Sequence, residues 1–301
     1  MRLAVIVNPV SGRAGSRRAS AGERQQLAAR VLRDVGVEAE VVLTRARGHG
    51  AELARAFVDR AFDRVIAWGG DGTVNEIAGP LIGSHTALGI VPSGSGDGLA
   101  HGLGLDTRPD QALAAALRQP VTPIDAGWLG ARHFLNVCGI GFDAAVAQGF
   151  NTRETRGALG YVKGLLSGIW RYRPESYQID AGGTRFEGPR FLVAFSNGCE
   201  YGNRLVLTAD AHPADGWLDA VIVDAGTPIR QLWRARRLAV GVRRPAAGIH
   251  RLRVQQARIS GERLVCHVDG ETFETRGSID VRIQPKAIGI AGVTIVRRAN
   301  L

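Results

Sequence analysis

The chain's 301 residues, 45% hydrophobic and 22% charged, have the composition of a soluble globular protein with room for two domains of ordinary size. A net charge of +10, carried almost wholly by Arg because Lys163 and Lys286 are the only lysines, points to an anionic partner; the lack of zinc-finger spacing or an aromatic ribonucleoprotein motif argues against nucleic acid. Cys138, Cys199 and Cys266 stand far apart in apolar stretches and read as reduced core residues of a cytosolic protein, and no run approaches the roughly 18 apolar residues of a spanning helix.

The apolar run from Leu3 to Val7 predicts a buried first strand, too short for a signal peptide. Asn8-Pro9-Val10-Ser11-Gly12 ends it with turn residues. A polar, Arg-rich stretch from Arg13 to Arg24 leads to a helix over Gln25 to Val35, then a second strand over Val37 to Leu43 followed by Thr44. A helix from His49 to about Phe62 comes next, and Val65 to Trp68 reads as a third strand.

That third strand opens into Gly69-Gly70-Asp71-Gly72-Thr73-Val74-Asn75-Glu76 and a helix reaching Leu81. Glycines before a helix N-terminus make an anion cradle. Asp71 in its midst would repel a phosphate unless it works through Mg²⁺ or on a proton. A fourth strand, Leu88 to Pro92, runs into a second glycine-rich turn, Ser93-Gly94-Ser95-Gly96-Asp97-Gly98. Two such turns after parallel strands can face one ligand. A short helix over Asp110 to Leu117 precedes Gln119 to Pro123, the expected boundary between domains at 1–122 and 123–301.

Beyond the boundary, Phe134 to Asp143 is apolar and glycine-containing, and Asn151 to Tyr172 is basic with apolar residues at helical spacing. From Tyr177 the pattern is β, with strands at Phe191 to Phe195, Leu218 to Val223, Arg251 to Ile259, Leu264 to Val268 and Ile279 to Ile283, interrupted by a basic helix over Pro228 to Val242. Arg230, Arg234, Arg236 and Arg237 are expected on its solvated or membrane-facing side. The last apolar stretch, Pro285 to Val296, reads as a final strand pair or a return toward the first domain.

The blocks Asn8 to Gly12, Gly69 to Glu76, Pro92 to Ala100, Phe134 to Asp143, Asp215-Gly216-Trp217-Leu218-Asp219 and Asp269-Gly270-Glu271 resemble, in order, those of the diacylglycerol kinase and sphingosine kinase superfamily. The resemblance implies a parallel α/β nucleotide-binding domain of the NAD kinase and diacylglycerol kinase type, followed by a β-sandwich. It implies transfer of the ATP γ-phosphoryl group to a lipid hydroxyl. Asn8, Pro9, Val10, Ser11, Gly12, Thr44, Gly70, Asp71, Gly72, Thr73, Val74, Asn75, Glu76, Ser95 and Asp97 then fall at the ATP site, with Asp71, Glu76 or Asp97 sharing in a catalytic Mg²⁺. Glu271 is expected as the base with Asp269 on Mg²⁺, and Asp71 is the rival base. Asp215 and the carbonyl of Trp217 match a structural Mg²⁺ site of some bacterial members, although His212 stands where a further acid is often found. The superfamily's usual Asn is Asp97 here, and an acid often found next is Gly98.

The implied enzyme is cytoplasmic, peripheral to the inner face of an anionic membrane, with its oligomeric state left open and a homodimer among the options. Its lipid tail would lie on the sandwich side, with Phe142, Phe150, Leu165, Leu166 and Trp170 as lining candidates. Two alternatives stand beside it: an NAD kinase-like enzyme, and a lipid- or nucleotide-binding regulator without catalysis.

Overall fold

The computed structural model describes residues 1–12, 20–151, 168–202, 205–239 and 246–293. The chain forms two compact units, residues 1–124 with 286–301, and residues 125–285.

In the first unit β1 (Leu3–Val7) lies parallel to β2 (Glu40–Leu43) on one side and β3 (Arg64–Gly69) on the other. Next comes β4 (Ala87–Pro92), parallel to β3, and then the end of β15 (Glu271–Ala291), where Ile290 pairs with Leu88. All five residues of β1 are buried, as expected of a strand with both faces covered. Parallel strands need crossovers, and these are α1 (Ala21–Val35), α2 (His49–Asp59) and α3 (Asp71–Leu81), with α4 (Gly98–Gly102) and α5 (Pro109–Arg118) after β4. Leu3, Val5, Val7, Leu32, Trp68, Leu113 and Leu117 fill one side of the sheet. Helix α1 starts four residues earlier than its apolar periodicity indicates, because Ser20 and Glu23 form a reciprocal capping box. It ends at Gly36 in the left-handed region. The stretch 13–19, read from sequence as a polar loop, lies outside the described residues.

The second unit is antiparallel. It begins within β5 (Val121–Leu129), a strand where the sequence suggested only a boundary turn, and continues through β6 (Arg132–Phe134) and β7 (Val137–Gly141) into α6 (Phe142–Asn151). Then come β8 (Glu175–Ala181), β9 (Thr184–Ser196), the short β10 (Glu200–Gly202) and β11 (Leu205–Val206), and β12 (Leu218–Asp224). Helix α7 (Pro228–Ala239), β13 (Ile249–Val254) and β14 (Gln256–Val268) complete it with most of β15. β7 and β8 fill successive parts of one gap between β9 and β14. The strand expected over Arg251 to Ile259 is divided at Gln255, and its second half belongs with Leu264–Val268 in β14.

Alternation sorts the side chains of β9 and β12 onto two cores. Val193, Phe195, Ala220 and Ile222 join Phe134, Tyr177 and Ile259. Leu192, Ala194, Val221 and Val223 join Phe142, Ile169 and Phe191, with Ala235 and Leu238 of α7 packed against them. Phe142 stacks on Phe191 at 4.3 Å and is 3% exposed, so it is a core residue. Trp170, in a helical turn at 168–171, is exposed; Leu165, Leu166 and the side chain of Phe150 lie outside the described residues, as does most of the amphipathic segment expected over 151–172. Among the described residues no helix is long and apolar enough to cross a membrane.

Candidate active site

The parallel ladder sets the carboxyl ends of β1 to β4 at one edge: Val7 pairs with Leu43 and Trp68, and Gly69 with Pro92. Loops leaving such an edge form the usual ligand crevice of an α/β sheet. Here side chains tie the loops to one another. Asn8 Nδ2 donates to Thr73 Oγ1 at 2.8 Å, while Asn8 Oδ1 accepts from the Val10 amide at 3.0 Å. The hydroxyls of Ser11 and Ser93 share a hydrogen bond at 2.8 Å. The Ser93 amide donates to the Gly69 carbonyl, and the Thr44 amide to Val7.

Arg24 braces this loop from α1. It is 4% exposed, and its guanidinium donates to the Asn8 carbonyl, to Ser11 Oγ at 2.6 Å and to the Ser11 carbonyl. A buried cation held by carbonyls keeps its charge beside the loop, where an anionic ligand would feel it.

Gly70 and Gly94 bring the two glycine-rich loops backbone to backbone. A Cβ on Gly70 would come within 2.9 Å of the Gly94 Cα, so a side chain at either position would part the loops. α3 starts from Gly70, which has no side chain to cap it, at the end of β3 where a helix N-terminus faces the loop edge. Asp71 opens that helix, and its Oδ2 lies against Gly96 of the second loop. Asp97 sits in the left-handed region at φ 47°, a conformation Asn and Asp tolerate, and both of its oxygens accept the Gly94 amide, at 2.9 and 3.0 Å.

Other residues named from sequence have different surroundings. Glu76 Oε1 accepts the amides of Gly50 at 2.6 Å and Ala51 at 3.3 Å, so this carboxylate caps the start of α2. Val74 is buried and gives its amide to the Gly70 carbonyl. Val10 and Ser95 are exposed; Pro9, Gly12, Thr44, Gly72 and Asn75 are half-buried on or beside the same loops.

In the second unit, Val268 pairs with Glu271, and Asp269-Gly270 makes the two-residue turn between β14 and β15. Both turn residues have positive φ, 46° and 87°, as the primed hairpin turn demands. The Asp269 carboxylate reaches back to the chain before β7. Its Oδ2 accepts the Leu135 amide at 2.8 Å, and its Oδ1 accepts those of Asn136 at 3.1 Å and Val137 at 2.9 Å. Glu271 follows the turn, half-buried.

Beneath the hairpin lies a contact that sequence reading did not find. His267 Nε2 is 3.0 Å from Asp143 Oδ2, and both side chains are buried. His267 pairs across the ladder with Gly139, and a Cβ on Gly139 would fall onto the Asp143 carboxylate. On the other side of the ring, the Gly270 amide points at His267 Nδ1 at 3.4 Å.

A structural cation at Asp215 and Trp217 does not fit. Asp215 Oδ1 accepts the Trp217 amide at 3.1 Å, and Oδ2 is paired with the Arg253 guanidinium, which holds the positive charge a metal would bring. His212 Nδ1 accepts the Ala214 amide, and among the described residues no group of three His, Cys, Asp or Glu could hold a metal ion.

Residues 2–129 match the diacylglycerol kinase catalytic domain, and residues 136–292 match the YegS C-terminal NAD kinase beta sandwich-like domain. A probable YegS-like lipid kinase of Chromohalobacter salexigens is 37% identical over 208 residues, 67% of each chain. A diacylglycerol kinase of Bacillus subtilis is 29% identical over 230 residues, 74% of this chain and 73% of its own. Among solved structures, a diacylglycerol kinase of Bacillus anthracis superposes with a TM-score of 0.75 at 19% identity, over 96% of both chains, a likeness of fold.

Proposed function

Because the chain belongs to the YegS-like lipid kinases, with a diacylglycerol kinase catalytic domain followed by a YegS C-terminal domain, we propose that it moves the γ-phosphoryl group of ATP to a lipid hydroxyl at the surface of an anionic membrane. The observation that carries this reading is the cross-tied edge of the parallel sheet, where Asn8 meets Thr73, Ser11 meets Ser93, and Arg24 braces the first loop. Phosphoryl transfer asks little covalent chemistry of a protein; it needs positioning, neutralised charge and a proton acceptor. The amides opening α3 and the loop polar groups bind the phosphates. Asp71, beside the Gly94–Asp97 loop, and Asp97 are the carboxylates suited to hold Mg²⁺, which would neutralise charge on the transferring group.

In the reaction the lipid oxygen bonds to the γ-phosphorus as the bond to the β,γ-bridging oxygen breaks. ADP leaves, and the hydroxyl proton passes to a carboxylate. Glu271 is the base in this reading. Asp269, whose oxygens accept three amides, holds the hairpin turn before it, and Asp71 remains the rival base.

The test is transfer of labelled γ-phosphate, with Mg²⁺ present, to diacylglycerol, a sphingoid base, ceramide and NAD in mixed micelles. Labelled lipid is expected. Label on NAD alone, or nucleotide binding without turnover on any acceptor, would refute the proposal.

A further inference from the structure

The inner face of helix α7 mixes polar anchors with the apolar Ala235 and Leu238 that pack on the core. Its buried face carries Gln231 and Arg234, 2% and 9% exposed, while Ile229, Leu232 and Trp233 are 72%, 36% and 49% exposed. Gln231 Nε2 and Arg234 Nη1 both donate to the Asp224 carbonyl, at 2.8 and 2.7 Å, and Arg234 Nε donates to Ala247 at 3.2 Å. Arg234 also lies against Gly248, where any side chain would collide with its guanidinium. This corrects the expectation that Arg234 belongs to the outward side. Polar anchors fix the helix's rotation, and the rotation presents the apolar residues to the outside.

Ile229, Leu232, Trp233, Arg236 and Arg237 follow the helical spacing i, i+3, i+4, i+7 and i+8 and so lie on one face. Arg230 flanks the start of that stripe, and Arg230, Arg236 and Arg237 are exposed. Arg237 lies over the Trp233 ring at 4.4 Å, which holds aromatic and cation together. No acidic residue occurs in the helix, so nothing on it opposes an anionic partner.

We propose that the outward face of α7 is the docking surface by which this kinase settles on an anionic lipid bilayer. The proposal rests on the lipid kinase reading, since such an enzyme must find its acceptor at a membrane. Charge complementarity selects the occupant: guanidiniums interleaved with Trp, Leu and Ile suit the boundary between anionic headgroups and acyl chains.

The test uses the whole protein and vesicles of phosphatidylcholine with or without phosphatidylglycerol. Wild type should sediment with the anionic vesicles and far less with the neutral ones. The triple variant Ile229→Ser, Leu232→Ser, Trp233→Ser and the double variant Arg236→Glu, Arg237→Glu should each bind anionic vesicles at least about tenfold more weakly. Both should keep wild-type turnover of a short-chain, water-soluble lipid acceptor while losing turnover of long-chain lipid in vesicles. Unchanged vesicle binding in both variants overturns the docking surface and leaves the kinase reading standing. Vesicle binding that depends on α7, in a protein with no turnover of any lipid, sinks the kinase reading alone. A wild-type dimer that the triple variant converts to monomer, with no vesicle binding by either, would give the face to a second copy and overturn the proposal.

Discussion

Replacing Asp269 separates two roles for the acid before Glu271. Its carboxylate receives the amides of Leu135, Asn136 and Val137, and the Leu135 and Val137 residues are 0% and 2% exposed. A hydrogen bond to a charged group contributes about 1.5–3 kcal/mol, so three would total about 4.5–9 kcal/mol if none found a substitute. Water can reach a half-exposed turn, and we take about 3–5 kcal/mol as the loss in Asp269→Ala, a large part of the roughly 5–15 kcal/mol that holds a domain together. Asp269→Asn can keep its carbonyl toward Asn136 and Val137 but then turns an amide donor toward the Leu135 donor, for a loss of about 2 kcal/mol. Hydrogen exchange at the three amides reads this directly: faster in Asn, fastest in Ala. Activity should fall in the same order, with no change in the Mg²⁺ concentration needed for half-maximal rate. The reasoning is refuted if Asp269→Asn leaves the three amides as protected as in wild type while activity collapses and the Mg²⁺ requirement rises, which would make Asp269 a metal ligand.

Arg24→Ala should raise the KM for ATP about tenfold with a smaller effect on kcat, since it removes a brace and a buried cation from the first loop; Arg24→Lys, lacking the forked donor set, should recover little of it. Steady-state kinetics with varied ATP decides, and an unchanged KM in the Ala variant would dismiss the brace. Burial pushes the Cys266 thiol from 9.0 to about 12 and the Tyr177 phenol from 10.0 to about 12. Unfolding returns both toward their ordinary values, so the unfolded chain releases protons that the native chain keeps. Stability is therefore intact below about pH 9 and falls as pH rises toward about 12. Urea unfolding across that interval should follow this fall, less steeply in Cys266→Ala.

Much of the first unit is legible in sequence because its signals are local. Leu3–Val7 is an unbroken apolar run, as a strand buried on both faces must be, and the glycines after β3 and β4 mark loops whose backbones touch. The long strands of the second unit are less legible. β14 and β15 pair along most of their length, but exposed polar stretches such as Glu262-Arg263 and Arg276-Gly277-Ser278 interrupt their apolar pattern. Side-chain roles escape for a different reason. The superfamily resemblance makes Glu76 a candidate for Mg²⁺, yet its carboxylate accepts amides 25 and 26 residues back at the start of another helix. Arg24 lies in a run of polar residues whose spacing gives no sign that it is buried. The His267–Asp143 contact spans 124 residues and needs Gly139 between them, a condition visible only once β7 lies beside β14.

The path of β15 bears on how the protein is made. This strand pairs with β14 for most of its length, and only its last residues reach β4, through Ile290 and Ala291. The Gly83 amide also waits for the Ala287 carbonyl, and the Thr122 hydroxyl for that of Val293. A ribosome therefore releases every residue of the loops after β1, β3 and β4 long before the chain that completes their sheet exists. Until about residue 291 has emerged, β4 is an uncovered edge on a nascent chain, the kind of surface on which misassembly starts. Synthesis order makes the first unit the last to be finished, and a chain cut short after Pro285 would carry the strands of the second unit complete and the parallel sheet of the first one strand short.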